Sequence, residues 1–233
     1  MTKIILLGLT TTTKSDWRAK VNEIDEFGIK EIALFPTCLG ITERSELYKL
    51  LEATKLESIP HVHLRDEDME EWELDLLVNK YACKYFNVHP NAEKVLEYEK
   101  YRKMMYVENL QKIDEVYIKT LNQVAGVCLD VSHFEDYAVM IGEKEYEKFP
   151  EILKQHKIGC CHISAVRSEP REVTDYLTGE KSFVYSYHYL RDLKELDYVK
   201  KYVQYLPEYV SIELENSFRE QIEIKKYLDK IIN

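Results

Sequence analysis

The stretch Gly126-Val127-Cys128-Leu129-Asp130-Val131 is a short apolar run that reaches a carboxylate at its fifth position. Runs of this kind recur along the whole chain. The candidate strands are Lys3–Leu9, Glu31–Phe35, Ile59–Leu64, Tyr85–His89, Met104–Asn109, Gly126–Val131, Ile158–Ile163 and Tyr209–Glu215, eight in all. Between them lie amphipathic stretches. Ser15–Phe27 carries Val21, Ile24 and Phe27 at helical spacing, with Gly28 placed as a helix C-cap, and Glu67–Tyr81 carries Trp72, Leu76 and Leu77. Trp17 and Trp72 read as packing residues on these helices.

Strict βα alternation implies parallel strands joined by right-handed crossovers, and eight units in 233 residues fit a (β/α)₈ TIM barrel near the lower end of its size range. A doubly wound open sheet is the competing arrangement. Against it, the first βα turn, Gly8-Leu9-Thr10-Thr11-Thr12-Thr13, lacks the G-x-G-x-x-G phosphate cradle, and no Walker motif is present. The expectation is one barrel domain over residues 1–233. Its one irregular interval, Ser164–Leu190, reads as a long lid or binding loop after the seventh strand.

Composition narrows the partners. The chain is 45% hydrophobic and 32% charged, enough for one sizeable core. Acidic residues outnumber basic ones 42 to 32, giving a net charge of −10, which disfavours a nucleic-acid partner because phosphate binding draws on clustered positive charge. No apolar run is long enough for a signal peptide or a membrane span, so a cytoplasmic protein without membrane attachment is expected. An oligomer is compatible with the sequence. The five cysteines include no C-x-x-C pair and read as buried free thiols.

The chemistry sits at the strand ends. Counting four residues from the start of each run leads from Ile59 to His63, Tyr85 to His89, Met104 to Glu108, Gly126 to Asp130, Ile158 to His162 and Tyr209 to Glu213. Equal offset along strands of period two puts these side chains at similar depth, as a ring at one mouth of the barrel. Any one of them alone is an ordinary polar strand-end residue. Carboxylates converging on one pocket, however, repel unless a cation or proton lies between them. Three carboxylates with one imidazole suit Mn²⁺, Mg²⁺ or Co²⁺, whereas recruiting His63, His89 and His133 shifts the preference toward zinc.

The segments Val107-Glu108-Asn109, Leu129-Asp130-Val131-Ser132-His133, Cys161-His162-Ile163-Ser164 and Ser211-Ile212-Glu213-Leu214 resemble strands five to eight of the xylose isomerase-like superfamily. That superfamily includes sugar and sugar-phosphate isomerases and epimerases, and DNA-repair enzymes of the endonuclease IV type. The resemblance implies that Glu108, Asp130, His162 and Glu213 hold one divalent metal and that Glu108 and Glu213 also move protons. His133 completes a D-x-x-H pattern used for substrate contact in one branch and for metal binding in the other. His63 and His89 resemble histidines of the three-zinc cluster of endonuclease IV, and have counterparts in isomerases without that cluster. Two features depart from the nuclease pattern: Asn91 follows His89-Pro90 where Gly is usual, and the seventh loop offers only Ser186-Tyr187-His188 in place of Asp-x-His. Glu215 shares a strand face with Glu213 and competes for its role, although the equal offset favours Glu213.

In the long loop, Arg167 and Arg171 offer forks of donors for a substrate hydroxyl or phosphate, and Lys181, Tyr185, Tyr187 and His188 offer a lid lining. The expected function is a metal-dependent isomerase or epimerase acting on a small sugar, sugar phosphate or hydroxy-ketone, with a metal-stabilised enediolate and the two glutamates as acid and base. The alternatives are a zinc phosphodiesterase of the endonuclease IV kind acting on abasic DNA, and a non-catalytic ligand-binding barrel.

Overall fold

A computed structural model describes residues 2–174 and 181–233. Eight parallel strands close into a barrel: β1 (Ile4–Thr10), β2 (Glu31–Phe35), β3 (Ser58–His63), β4 (Tyr85–Val88), β5 (Met105–Glu108), β6 (Val127–Asp130), β7 (Ile158–Ile163) and β10 (Tyr209–Ile212). Pairing of β1 with β10, Ile4 opposite Tyr209 and Leu6 opposite Ser211, shuts the ring and excludes the open sheet. Each expected run is a barrel strand. The last one ends three residues early, because the Glu215 N–H leaves the ladder for the His188 carbonyl and the Leu214 carbonyl accepts from Lys20 and Gln221.

Helices α1 (Trp17–Glu26), α2 (Ile41–Glu52), α3 (Glu71–Tyr81), α4 (Glu93–Leu96), α5 (Glu115–Leu121), α6 (Val131–His133) and α7 (Phe149–Gln155) lie in the crossovers up to β7, and α8 (Phe218–Ile232) follows the last strand. Asp16 caps α1 by accepting from the Ala19 N–H, and Gly28, at φ +63°, turns the chain out of it, a conformation that costs glycine little. The helix expected over Glu67–Tyr81 starts at Glu71 and buries Glu73, Leu74, Leu77 and Tyr81, whereas Trp72 stands 47% exposed, edge-on to Tyr48. The cause is Arg44 of α2. Its buried guanidinium meets Glu73 at 2.8 Å through two nitrogens, and Tyr48 donates to the same carboxylate, so a charged residue takes the inward position.

The interval Ser164–Leu190 is not an irregular loop. Its described part is an antiparallel hairpin of β8 (Ala165–Thr174) and β9 (Lys181–Tyr187), rising from the C-terminal end of β7; residues 175–180 of the expected lid lie outside the described residues. The buried Asp136 carboxylate accepts from the backbone N–H groups of Tyr185 and Ser186, which pins β9 to the π-helical segment Phe134–Ile141. Among the described residues no helix is long and apolar enough to cross a membrane.

The seam between β1 and β10 is tight. A Cβ on Gly8 would lie 1.7 Å from the Ile212 carbonyl oxygen, so only glycine fits there. Gln221 of α8 serves both the N–H and the carbonyl of Gly8, and the buried Lys20 ammonium donates to the Gly8 and Leu214 carbonyls at 3.0 and 2.9 Å. Burial pushes Lys20 down to about 7. A lysine that binds its proton more weakly folded than unfolded makes stability rise with pH between those two values, here from about 7 towards 10.5, with a slope of up to about 1.4 kcal/mol per pH unit. Urea midpoints at pH 7 and pH 9 should therefore favour the wild type increasingly over Lys20→Met as pH rises; a pH-independent difference between the two would mean that Lys20 is not depressed.

Candidate metal centre

A barrel of eight strands and shear eight staggers neighbouring strands by one residue on average, and the cluster follows that stagger. His63 pairs with Asn87, and the next cluster residue, His89, lies two positions further along β4. His89 is level with Glu108, one step past the paired Val88 and Val107. Glu108 pairs with Cys128, two positions short of Asp130; Asp130 pairs with His162; His162 pairs with Ser211, two positions short of Glu213. Steps of two and none alternate around the ring. The side chains therefore climb the strands at the rate at which the tilted strands descend, and they meet at one height above the barrel floor.

At the centre is His162, fully buried. Its Nε2 lies 3.0 Å from Glu108 Oε2, and its Nδ1 lies 2.8 Å from Glu213 Oε2 and 3.2 Å from Asp130 Oδ2. These are hydrogen-bond distances without hydrogen-bond directions: among the described residues neither ring nitrogen of His162, nor Asp130 Oδ2, has an aligned partner, although all three atoms are buried. The other oxygen of Asp130 is fully used, accepting from the Ser132 hydroxyl and the His133 N–H. Asp130 is thereby held with one free lone-pair face turned to the cluster. Atoms of Asp130, His162 and Glu213 lie within 4.8 Å of one another, as do those of Glu108, Asp130 and His133.

The electrostatics agree with this geometry. Burial disfavours the charged form of every member, yet His162 holds its proton well above the usual imidazole range because Glu108, Glu213 and Asp130 face it. The three carboxyls, which burial alone would raise, stay below their ordinary values mainly through nearby imidazole charge. Such a pocket requires positive charge, from a proton on His162 or from a cation among the carboxylates.

A second arm adjoins it. The Nε2 atoms of His63 and His89 lie 3.1 Å apart, and His63 Nε2 is 3.0 Å from Glu108 Oε2. Each ring is fixed from behind: His63 Nδ1 lies 2.9 Å from the Leu64 carbonyl oxygen and His89 Nδ1 lies 2.8 Å from Asp66 Oδ2. Burial lowers His89, and the charges of Asp66, Glu108 and Glu213 together with the Asp66 hydrogen bond more than offset it, raising the ring to about 9. Metal-binding histidines are commonly oriented in this way, with a carboxylate or carbonyl on the outer nitrogen. Asn91, which stands where the nuclease pattern has Gly, is at φ +70°, so it adopts the glycine-like conformation that asparagine tolerates best.

Other expected residues lie around the cluster. Glu213, and not Glu215, reaches His162; the Glu215 N–H instead bonds the His188 carbonyl, and His188 Nδ1 approaches the Glu213 carbonyl at 3.4 Å. His133 borders a cavity of about 420 Å³ that Tyr137 and Lys112 also line. Arg167 is committed elsewhere: its guanidinium binds Glu195 and the Tyr189 carbonyl and lies 3.9 Å over the Tyr187 ring, bracing the hairpin base. Arg171 donates to the Ser186 carbonyl within the hairpin. Sequence reading missed Asp66, Ser132 and Asn87, which orient His89, Asp130 and Glu108. The available signal was position, since Asn87 lies two residues before His89, on the same strand face.

No protein-family model matches the chain, and no curated protein matches it. Among solved structures, the chain is similar to a xylose isomerase-like TIM barrel protein from Mycobacterium smegmatis crystallised in complex with magnesium, with a TM-score of 0.50 and 13% identity over 98% of this chain and 97% of that one. The likeness shows the fold, an eight-stranded TIM barrel. In this barrel the donor set suits a divalent cation, since the unpartnered buried atoms of Asp130 and His162 face the carboxylates Glu108 and Glu213. Mn²⁺ titration calorimetry should find Glu213→Gln weakened by roughly 10-fold or more and Glu215→Gln near wild type; the reverse order would move the ligand role to Glu215.

Proposed function

We propose that Glu108, Asp130, His162 and Glu213 hold a divalent metal and that the protein is an isomerase or epimerase of a small sugar, sugar phosphate or hydroxy-ketone. The observation that carries this reading is the pair of buried glutamates, Glu108 and Glu213, on opposite sides of the His162 ring. A bound metal would supply Lewis-acid charge against the substrate's carbonyl and adjacent hydroxyl oxygens, acidifying the hydrogen on the carbon beside the carbonyl. One glutamate accepts that proton and the other returns one from the opposite face. His133, Tyr137 and Lys112, at the adjoining cavity, bind substrate hydroxyls. The β8–β9 hairpin limits water access while the carbanion-like species persists. The magnesium in the similar barrel from M. smegmatis supports a hard divalent ion.

A second reading draws on the His63, His89 and Glu108 arm, whose ligand atoms lie within 4.8 Å of one another: a multi-zinc phosphodiesterase for abasic DNA. The charge around that arm opposes it. The cavity of about 660 Å³ beside His89 is walled by Asp66, Glu67, Glu93 and Glu97, with Lys94 turned to Glu70, so a phosphate backbone would meet carboxylates there.

The test is deuterium incorporation from D₂O at the carbon beside the carbonyl, across ketoses, ketose phosphates and hydroxypyruvate with Mn²⁺ or Co²⁺. Exchange is expected for at least one of them, with Glu108→Gln and Glu213→Gln each slowing it by roughly 10²–10⁴-fold. Cleavage of abasic duplex by protein carrying two or three zinc ions, with no exchange on any carbonyl substrate, would overturn the proposal in favour of the second reading.

A further inference from the structure

Two residues before each member of the cluster, on the same strand face and one layer lower in the barrel, stand His61, Asn87, Tyr106, Cys128, Cys160 and Ser211, all buried. Barrel interiors are filled mostly by branched apolar side chains, so this polar layer calls for a reason. Its hydrogen bonds have a single consistent direction. Asn87 Nδ2 donates to Glu108 Oε2 at 2.7 Å. An amide that donates from its nitrogen leaves its oxygen to accept, and His61 Nε2 lies 3.0 Å from Asn87 Oδ1, so Nε2 carries the hydrogen. His61 Nδ1 is left to accept the Ser211 hydroxyl hydrogen at 2.8 Å.

We propose that Ser211, His61 and Asn87 form a directional chain of positioning residues that fixes the Glu108 carboxylate under the metal centre. Each group donates to the next towards Glu108, and the chain spans the barrel from β10 through β3 and β4 to β5. Asn87 contacts the same Glu108 oxygen that faces His63 and His162, so it sets the rotation of that carboxylate without adding charge. The chain also uses both nitrogens of His61. The thiols of Cys128 and Cys160, whose sulfurs lie within 4.8 Å of a His61 nitrogen, are buried beside this ring.

The proposal rests on the reading that Glu108 is a metal ligand, and the test separates the two claims. Long-range ¹⁵N–¹H NMR of the wild-type protein, with no metal added, should report His61 as the Nε2–H tautomer; an Nδ1–H ring would overturn the chain whatever the metal does. Mn²⁺ titration should find Asn87→Asp weaker by roughly 10–100-fold, and Ser211→Ala weaker by less, with Ser211→Thr restoring affinity. Wild-type affinity in folded Asn87→Asp and in Ser211→Ala would overturn the positioning role. If Asn87→Asp does not fold, the serine pair and the tautomer decide. A wild-type protein that binds no Mn²⁺ would sink the metal reading, while the tautomer would still report on the chain.

Discussion

Three carboxylates and an imidazole share a buried space in which, among the described residues, neither ring nitrogen of His162 finds an aligned acceptor. Burying charge without compensation costs several kcal/mol per ion, so this fold must be assembled around a source of positive charge at the barrel mouth. Much of the surrounding structure follows from that requirement. Ser132 and the His133 N–H occupy one oxygen of Asp130 and leave the other turned to the His162 and His133 rings, Asp66 and the Leu64 carbonyl turn His89 and His63 inward, and Asn87 holds Glu108. These contacts orient the polar atoms of the cluster towards one another.

The barrel supplies the geometry through its shear. Residues at equal offsets from their strand starts are only alternately cross-strand partners: Asp130 is opposite His162, but Glu108 is opposite Cys128 and His162 is opposite Ser211. Strand starts are staggered by the same shear, which is why counting from them brings the right residues to a common height. The same periodicity predicts the layer beneath, since position i−2 points inward one storey lower. The inward positions thus come as spaced pairs such as His61-x-His63 and Asn87-x-His89, with the upper member in the cluster and the lower one facing the barrel's own interior.

The strands and the ring at their ends were legible because both are local: an apolar run, a polar residue at fixed offset, and a right-handed crossover. What was not legible depends on partners distant in the chain. Glu73 is inside and Trp72 outside because Arg44, 29 residues earlier, needs a buried carboxylate, and no helical periodicity records that need. The hairpin of β8 and β9 is anchored by Asp136, about 50 residues before Tyr185. Arg167 looked available for a substrate because Glu195 and Tyr187, which engage it, follow it in the fold and not in any local pattern. The choice between Glu213 and Glu215 turned on where β10 leaves the sheet, which is set by Lys20 and Gln221 taking the Leu214 carbonyl.

The central claim is that these carboxylates and His162 enclose a divalent cation. Crystals equilibrated with Mn²⁺ and measured for anomalous scattering at a wavelength where manganese dominates test it most directly. A peak is expected about 2.0–2.3 Å from side-chain N and O atoms of Asp130, His162 and Glu213, with Glu108 completing the set. Absence of any peak there at saturating Mn²⁺, or a peak held only by mouth carboxylates such as Glu67 and Glu93, would contradict it.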